Sequence, residues 1–121
     1  MQDYIIWFDQ LGMNDVERVG GKNASLGEMI ANLSSAGVSV PGGFATTSKA
    51  YRDFLASNNL SKKINAALEN LDVNDVNALA ETGAKIRGWM MDSPFPEAFE
   101  SCLKEAYETL QGGNDGMSVA V

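Results

Sequence analysis

The run Val19-Gly20-Gly21-Lys22-Asn23-Ala24-Ser25-Leu26-Gly27-Glu28-Met29 constrains this chain more than any other segment. Two glycines bring the backbone round into an amphipathic helix and leave a lysine in its first turn. A cation there faces the positive end of the helix macrodipole, which on its own is mildly unfavourable. An anion such as a phosphate reverses the sign, because free backbone N–H groups and the ammonium can share it. Gly20, Gly21, Lys22 and Asn23 are therefore the candidate ligand-binding residues. A second glycine turn, Val40-Pro41-Gly42-Gly43, leads into Phe44-Ala45-Thr46, a short strand that ends at Thr47 or Ser48 as the cap of the next helix.

Neither turn matches a standard nucleotide fingerprint. A Walker A loop needs glycine where Val16 stands and Ser or Thr where Asn23 stands. Gly20, Gly21 and Gly27 lack the spacing of a dinucleotide-binding turn. By itself a Gly-Gly-Lys turn is more often a plain helix start with a solvated lysine, and Pro41-Gly42-Gly43 is most simply structural, with Phe44 in the core.

Charge sharpens the choice. The chain has 9 basic and 16 acidic residues, a formal net charge of −7. Such a surface disfavours nucleic acid, and a polyphosphate site must invert the field locally. Few cations are available for that, which makes the place of Lys22 more telling. The absence of histidine rules out a His–Asp relay, a His metal site or a phosphohistidine formed on these 121 residues. No apolar run is long enough to span a bilayer, and Met1-Gln2-Asp3-Tyr4 does not read as a signal peptide. With Cys102 as the sole cysteine no intrachain disulfide forms, which fits a reducing cytoplasm. Cys102, without a His partner, reads as inert.

The pattern along the chain predicts an α+β architecture with a few short strands and about five helices. Tyr4–Phe8 reads as a strand and residues 9–19 as a connection. A helix over about Asn23–Ser35 presents Leu26, Met29, Ile30 and Leu33 on one face, with Asn23 as a possible cap, a Ser25/Glu28 capping-box spacing, and Gly37 as its stop. The next helix carries Tyr51, Phe54 and Leu55 and frays at Asn58-Asn59. Ser61 opens another, and Asp72 or Asn74 starts a longer one with a Val76, Leu79, Gly83, Ile86, Met90 seam. Trp89-Met90-Met91 at helical spacing reads as packing rather than an adenine platform. A last helix follows Pro96 and buries Phe99, Leu103, Ala106 and Leu110. Met117–Val121 reads as a buried-type strand at the chain's end, which suggests a fragment truncated there and exposes an edge.

Taken in order, these segments resemble one family. Tyr4–Phe8, Leu11-Gly12-Met13 with Asp15-Val16, Val19–Met29, Val40-Pro41 with Gly43-Phe44-Ala45-Thr46-Thr47, Ala50–Leu55, and Ile86-Arg87 through Pro96 are similar to the N-terminus of the phosphoenolpyruvate synthases (pyruvate, water dikinases). The match covers nearly the whole chain. Gly42 stands where that family usually has a second proline, a change that loosens the turn. The resemblance implies that residues 1–121 are the first subdomain of an ATP-grasp-type nucleotide-binding domain. It implies ATP with magnesium as cofactors and a Lys22 that contacts ATP phosphates. It also implies that the metal ligands, the phosphorylated histidine and the pyruvate-binding domain lie outside this chain as its missing partners. No catalytic residue is expected within it, and neither turnover nor tight ATP binding by this chain alone. The alternatives are the corresponding part of a pyruvate, phosphate dikinase or related phosphotransferase, or a non-catalytic helical interaction module.

Overall fold

The computed structural model describes residues 3–38, 42–113 and 116–121. Two strands, β1 (Ile5–Trp7) and β2 (Phe44–Thr46), pair antiparallel with Ile6 opposite Ala45. Among the described residues six helices accompany them: α1 (Val16–Val19), α2 (Gly21–Ser35), α3 (Ser48–Ser57), α4 (Leu60–Glu69), α5 (Val76–Asp92) and α6 (Glu97–Gln111). The α+β expectation is met. Residues 9–19, expected as a plain connection, contain two single 3-10 turns and α1.

The chain divides into two compact units, residues 1–51 with 97–121, and residues 52–96. In the first, one apolar cluster joins Ile6, Leu11, Val19, Ala24 and Ala45, with Phe8 packed against it. A second joins Tyr4, Ala50 and Phe99, with Ile5 and Cys102 alongside. The Tyr4 and Phe99 rings meet edge to face at 5.6 Å. The predicted α6 seam is present: Phe99 and Ala106 are buried, Leu103 and Leu110 half-buried.

Thr47 ties the strand pair to the following helix. Its N–H donates to the Tyr4 carbonyl at 3.0 Å and its hydroxyl to the Asp3 carbonyl, while Oγ1 accepts from Ala50 N at 3.3 Å. The expected cap is thus Thr47, and it is buried.

Helix α2 departs from its predicted face. Ala24 and Gly27 are its buried residues, whereas Leu26, Ile30 and Leu33 are half-buried and Met29 is 45% exposed. A Cβ on Gly27 would stand 2.5 Å from Leu11 Cβ and 2.6 Å from Leu11 O. The helix backbone lies directly on the 8–12 segment, a contact that only small residues permit. The Ser25/Glu28 capping box does not form; Glu28 instead accepts from Met13 N at 3.1 Å. The C-terminal stop is as predicted: Gly37 has φ +82° and donates to Ser34 O, and Val38 N reaches Leu33 O at 2.8 Å.

In the second unit α4 and α5 pack together, and Phe54 and Leu60 are buried. Phe54 meets Phe95 edge to face at 5.7 Å, and the Asn58 side chain bridges Phe54 O and Pro94 O, each at 3.0 Å. The α4 cap is Asn59, at φ +55°, rather than a start at Ser61. Helix α5 is capped by Asp75, whose Oδ1 accepts from Ala78 N at 3.1 Å, not by Asp72 or Asn74. Asp72 instead closes the preceding turn through Asn74 N at 3.0 Å. The predicted α5 seam is incomplete: Val76 and Leu79 are exposed. Met91 is 84% exposed and does not pack, while Trp89 lies under the Lys63 ammonium at 4.4 Å.

Residues 117–121 form no ladder with any described segment, so the expected terminal strand is not present. A strand exists through its hydrogen-bonded neighbour, and apolar alternation cannot supply one. The expected extended stretch from Ser39 to Pro41 lies outside the described residues.

Candidate functional site

The site is built from a break between two helices. Helix α1 has four residues, so its closing carbonyls have few partners of its own. Gly20 N donates back to Val16 O at 2.7 Å, and Gly20 then turns with φ +87° and ψ 163°. That conformation is essentially confined to glycine. It lets Gly20 O accept from Ala24 N at 3.1 Å, so α2 starts at Gly21, two residues earlier than the predicted Asn23.

Gly21 and Lys22 are therefore the first two residues of α2, and both are exposed. A Cβ on Gly21 would meet nothing within 4 Å. The first-turn N–H groups of a helix have no intrahelical acceptor, and Gly20 offers no side chain to cap them. Backbone donors and the Lys22 ammonium thus sit at one helix start.

Lys22 also stands apart electrostatically. Of the basic residues in the first fifty, Arg18 is held by Asp15 at 3.0 Å, and the Lys49 ammonium lies 4.9 Å from the Tyr4 ring centre. Lys22 makes no ion pair with a described carboxylate. The ammonium is available to an incoming anion without first breaking a contact.

Asn23 is not the helix cap, because Gly20 precedes the first turn of α2. Its Nδ2 gives one of its two N–H groups to Val19 O at 2.9 Å, and the residue is half-buried. A residue that sequence reasoning assigned only to capping also contributes: the Ser48 hydroxyl donates to Glu17 O at 3.1 Å. That contact joins positions 31 apart and leaves no local pattern to read.

The arrangement suits a phosphate, with one cation, open backbone donors and a glycine bend that keeps side chains away. Among the described residues no group of three or more His, Cys, Asp or Glu converges. No described helix is long and apolar enough to cross a membrane.

Comparison with known proteins shows the family. The chain is 60% identical over 121 residues, its whole length, to the phosphoenolpyruvate synthase of Pseudomonas aeruginosa (strain UCBPP-PA14), and covers 15% of that protein. It is 51% identical over 117 residues to the phosphoenolpyruvate synthase of Escherichia coli (strain K12), matching 97% of the chain and again 15% of the relative. A protein named as a probable phosphoenolpyruvate synthase from Methanocaldococcus jannaschii is 42% identical over 120 residues, matching 98% of the chain and 10% of the relative. The chain therefore corresponds to a small N-terminal part of much longer relatives. Residues 16–121 match the family described as pyruvate phosphate dikinase, AMP/ATP-binding domain, and the chain belongs to that family.

Proposed function

We propose that this chain is the opening part of the ATP-binding domain of a phosphoenolpyruvate synthase, a subdomain of ATP-grasp type in which Lys22 and the first turn of α2 grip the phosphates of ATP. The observation that carries the reading is an exposed lysine with no ion-pair partner among the described residues, at a helix start that only a glycine at position 20 can form. The family match and the shared name of the relatives support it.

In the whole enzyme, MgATP and water serve to convert pyruvate to phosphoenolpyruvate, AMP and phosphate through a phosphorylated histidine. This chain has no histidine, so that group is assigned to another part of the polypeptide, and the pyruvate site and the magnesium ligands are assigned there with it. ATP supplies the phosphoryl group. This chain's residues bind and orient: the ammonium neutralises phosphate charge, and the Gly21 and Lys22 N–H groups fix phosphate oxygens. Gly21 leaves room for the nucleotide to approach the backbone. One lysine and one helix start do not orient a triphosphate for in-line attack, so the chain alone neither turns over ATP nor binds it tightly.

The test uses a hybrid enzyme in which this chain replaces the matching residues of the Pseudomonas aeruginosa relative. Lys22→Ala is expected to lower kcat/KM for ATP by about 10- to 100-fold, the value of one hydrogen bond to a charged group. Its thermal unfolding should stay unchanged, because the side chain is exposed. Values of kcat/KM within twofold of the parent would refute the reading.

A further inference from the structure

Two side chains outside α1, those of Asn23 and Ser48, hold its carbonyls next to the Gly20 bend. Helix α1 is too short to satisfy its own carbonyls. Two of them are captured from outside: Val19 O by Asn23 Nδ2 at 2.9 Å, from the first turn of α2, and Glu17 O by the Ser48 hydroxyl at 3.1 Å, from the first residue of α3. Directly after the Val19 carbonyl comes Gly20, the residue whose φ of +87° aims the start of α2.

Each anchor has a distinct mechanical effect. The Asn23 bond spans the bend itself, linking the residue before Gly20 to the third residue of the helix that follows. Rotation about Gly20 would break it, so it selects one setting of a residue that is otherwise the most permissive in the chain. The Ser48 bond ties α1 to the corner where Thr47 already joins the strand pair to α3 through the Asp3 and Tyr4 carbonyls. The bend is thereby tied to the Thr47 corner of the first unit.

We infer that Asn23 and Ser48 are positioning residues for Lys22: they clamp α1 and set the Gly20 bend, and so hold the ammonium and the first-turn N–H groups of α2 where a nucleotide phosphate meets them. This rests on the nucleotide reading above and deepens it. Asn23 acts through Lys22 by way of the one amide N–H that it gives to Val19 O.

Two measurements test the assignment. In the chain itself, amide hydrogen exchange is followed in Asn23→Ala and Ser48→Ala. Exchange at Gly20 and Ala24, whose N–H groups bond Val16 O and Gly20 O, should rise tenfold or more. Phe8 and Val38, bonded to Gly43 O and Leu33 O, should stay within twofold and report an intact fold. Unchanged exchange at Gly20 and Ala24 would overturn the clamp.

In the hybrid enzyme, each variant should raise KM for ATP roughly tenfold while changing kcat less, as expected when a binding group is displaced by under an ångström. Ser48→Thr, which keeps the hydroxyl, should restore the parent value. In a Lys22→Ala background, Asn23→Ala should cost no more than a further twofold. A full additive loss there would mean that Asn23 serves the nucleotide independently and would overturn the assignment, as would parental KM in both single variants. Parental kinetics in Lys22→Ala alone would instead sink the nucleotide reading and the positioning role with it, while leaving the exchange result to decide the clamp. A variant that loses protection at Phe8 and Val38 has unfolded, and a positioning role for that residue is then rejected in favour of a purely structural one.

Discussion

Gly27→Ala adds a single methyl, and the structure says that there is no place for it. The new carbon would lie 2.5 Å from Leu11 Cβ, 2.6 Å from Leu11 O and 2.8 Å from Leu11 C. Carbon atoms in contact settle at about 3.5–4.0 Å, so the helix and the 8–12 segment must part by roughly 1 Å. Two of the three atoms belong to the backbone and have no rotamer to move into. Leu11 is itself buried among Ile6, Val19, Ala24 and Ala45, so it has no slack to yield. Overpacking of this kind costs about 3 kcal/mol, at the upper end of the usual range. Alanine recovers about 1 kcal/mol as the better helix former. The net loss is then about 2 kcal/mol.

Urea unfolding followed by far-ultraviolet circular dichroism measures it directly. A fall of about 2 kcal/mol lowers the midpoint by about 1 M or more with the slope unchanged. Gly21→Ala, the same chemical change in the same helix, is the control. A Cβ there meets nothing within 4 Å, so it should stabilise by about 0.5 kcal/mol. If Gly27→Ala moves the midpoint upward alongside Gly21→Ala, the account of close backbone contact is refuted.

Gly20→Ala should destabilise by about 2 kcal/mol in the same assay. No atom lies within 4 Å of its Cβ, so the cost comes from the backbone conformation alone; with ψ at 163° it lies outside the left-handed helical well that Asn tolerates, and Gly20→Asn should cost as much. Thr47→Val keeps the shape but removes the hydroxyl that serves Asp3 O and Ala50 N; thermal unfolding should report a loss of about 2 kcal/mol, and a change under 0.5 kcal/mol would contradict the bracket. Asp75→Ala should cost about 1 kcal/mol, with faster amide exchange at Ala78. Asp72→Ala should leave that amide unchanged.

What could be read in advance was what depends on neighbours in sequence. The Phe44–Thr46 strand, the stop at Gly37 and the α6 face follow from alternation, from glycine at a helix end and from 3.6-residue spacing. Thr47 was recognisable as one of two caps because a cap bonds three residues ahead. What escaped was set by partners far along the chain or by closeness rather than by hydrophobicity. Leu26, Met29 and Leu33 make the greasier stripe of α2, yet Ala24 and Gly27 are buried, because a backbone lying on a backbone needs the absence of side chains. Hydropathy cannot report that. Asn23 has the chemistry of a cap, a ligand and a tether alike, and only the bend at Gly20 decides among them. The place of Lys22 in the first turn of a helix is legible from the two glycines before it, but its lack of an ion pair with a described carboxylate is not: Asp15 pairs with Arg18 by geometry.

The same helix that carries Lys22 is the one seated on Leu11 by a glycine, and this makes site and core one mechanical problem. Gly27 lies five residues from Lys22, about 7.5 Å along a helix rising 1.5 Å per residue. Over that length a helix moves nearly as a rigid rod, so the height of Lys22 above the strand pair is fixed by how closely Gly27 approaches the 8–12 segment. Gly20, Asn23 and Ser48 then fix its direction. On the proposed nucleotide reading, a larger residue at position 27 then costs stability and also moves the ammonium.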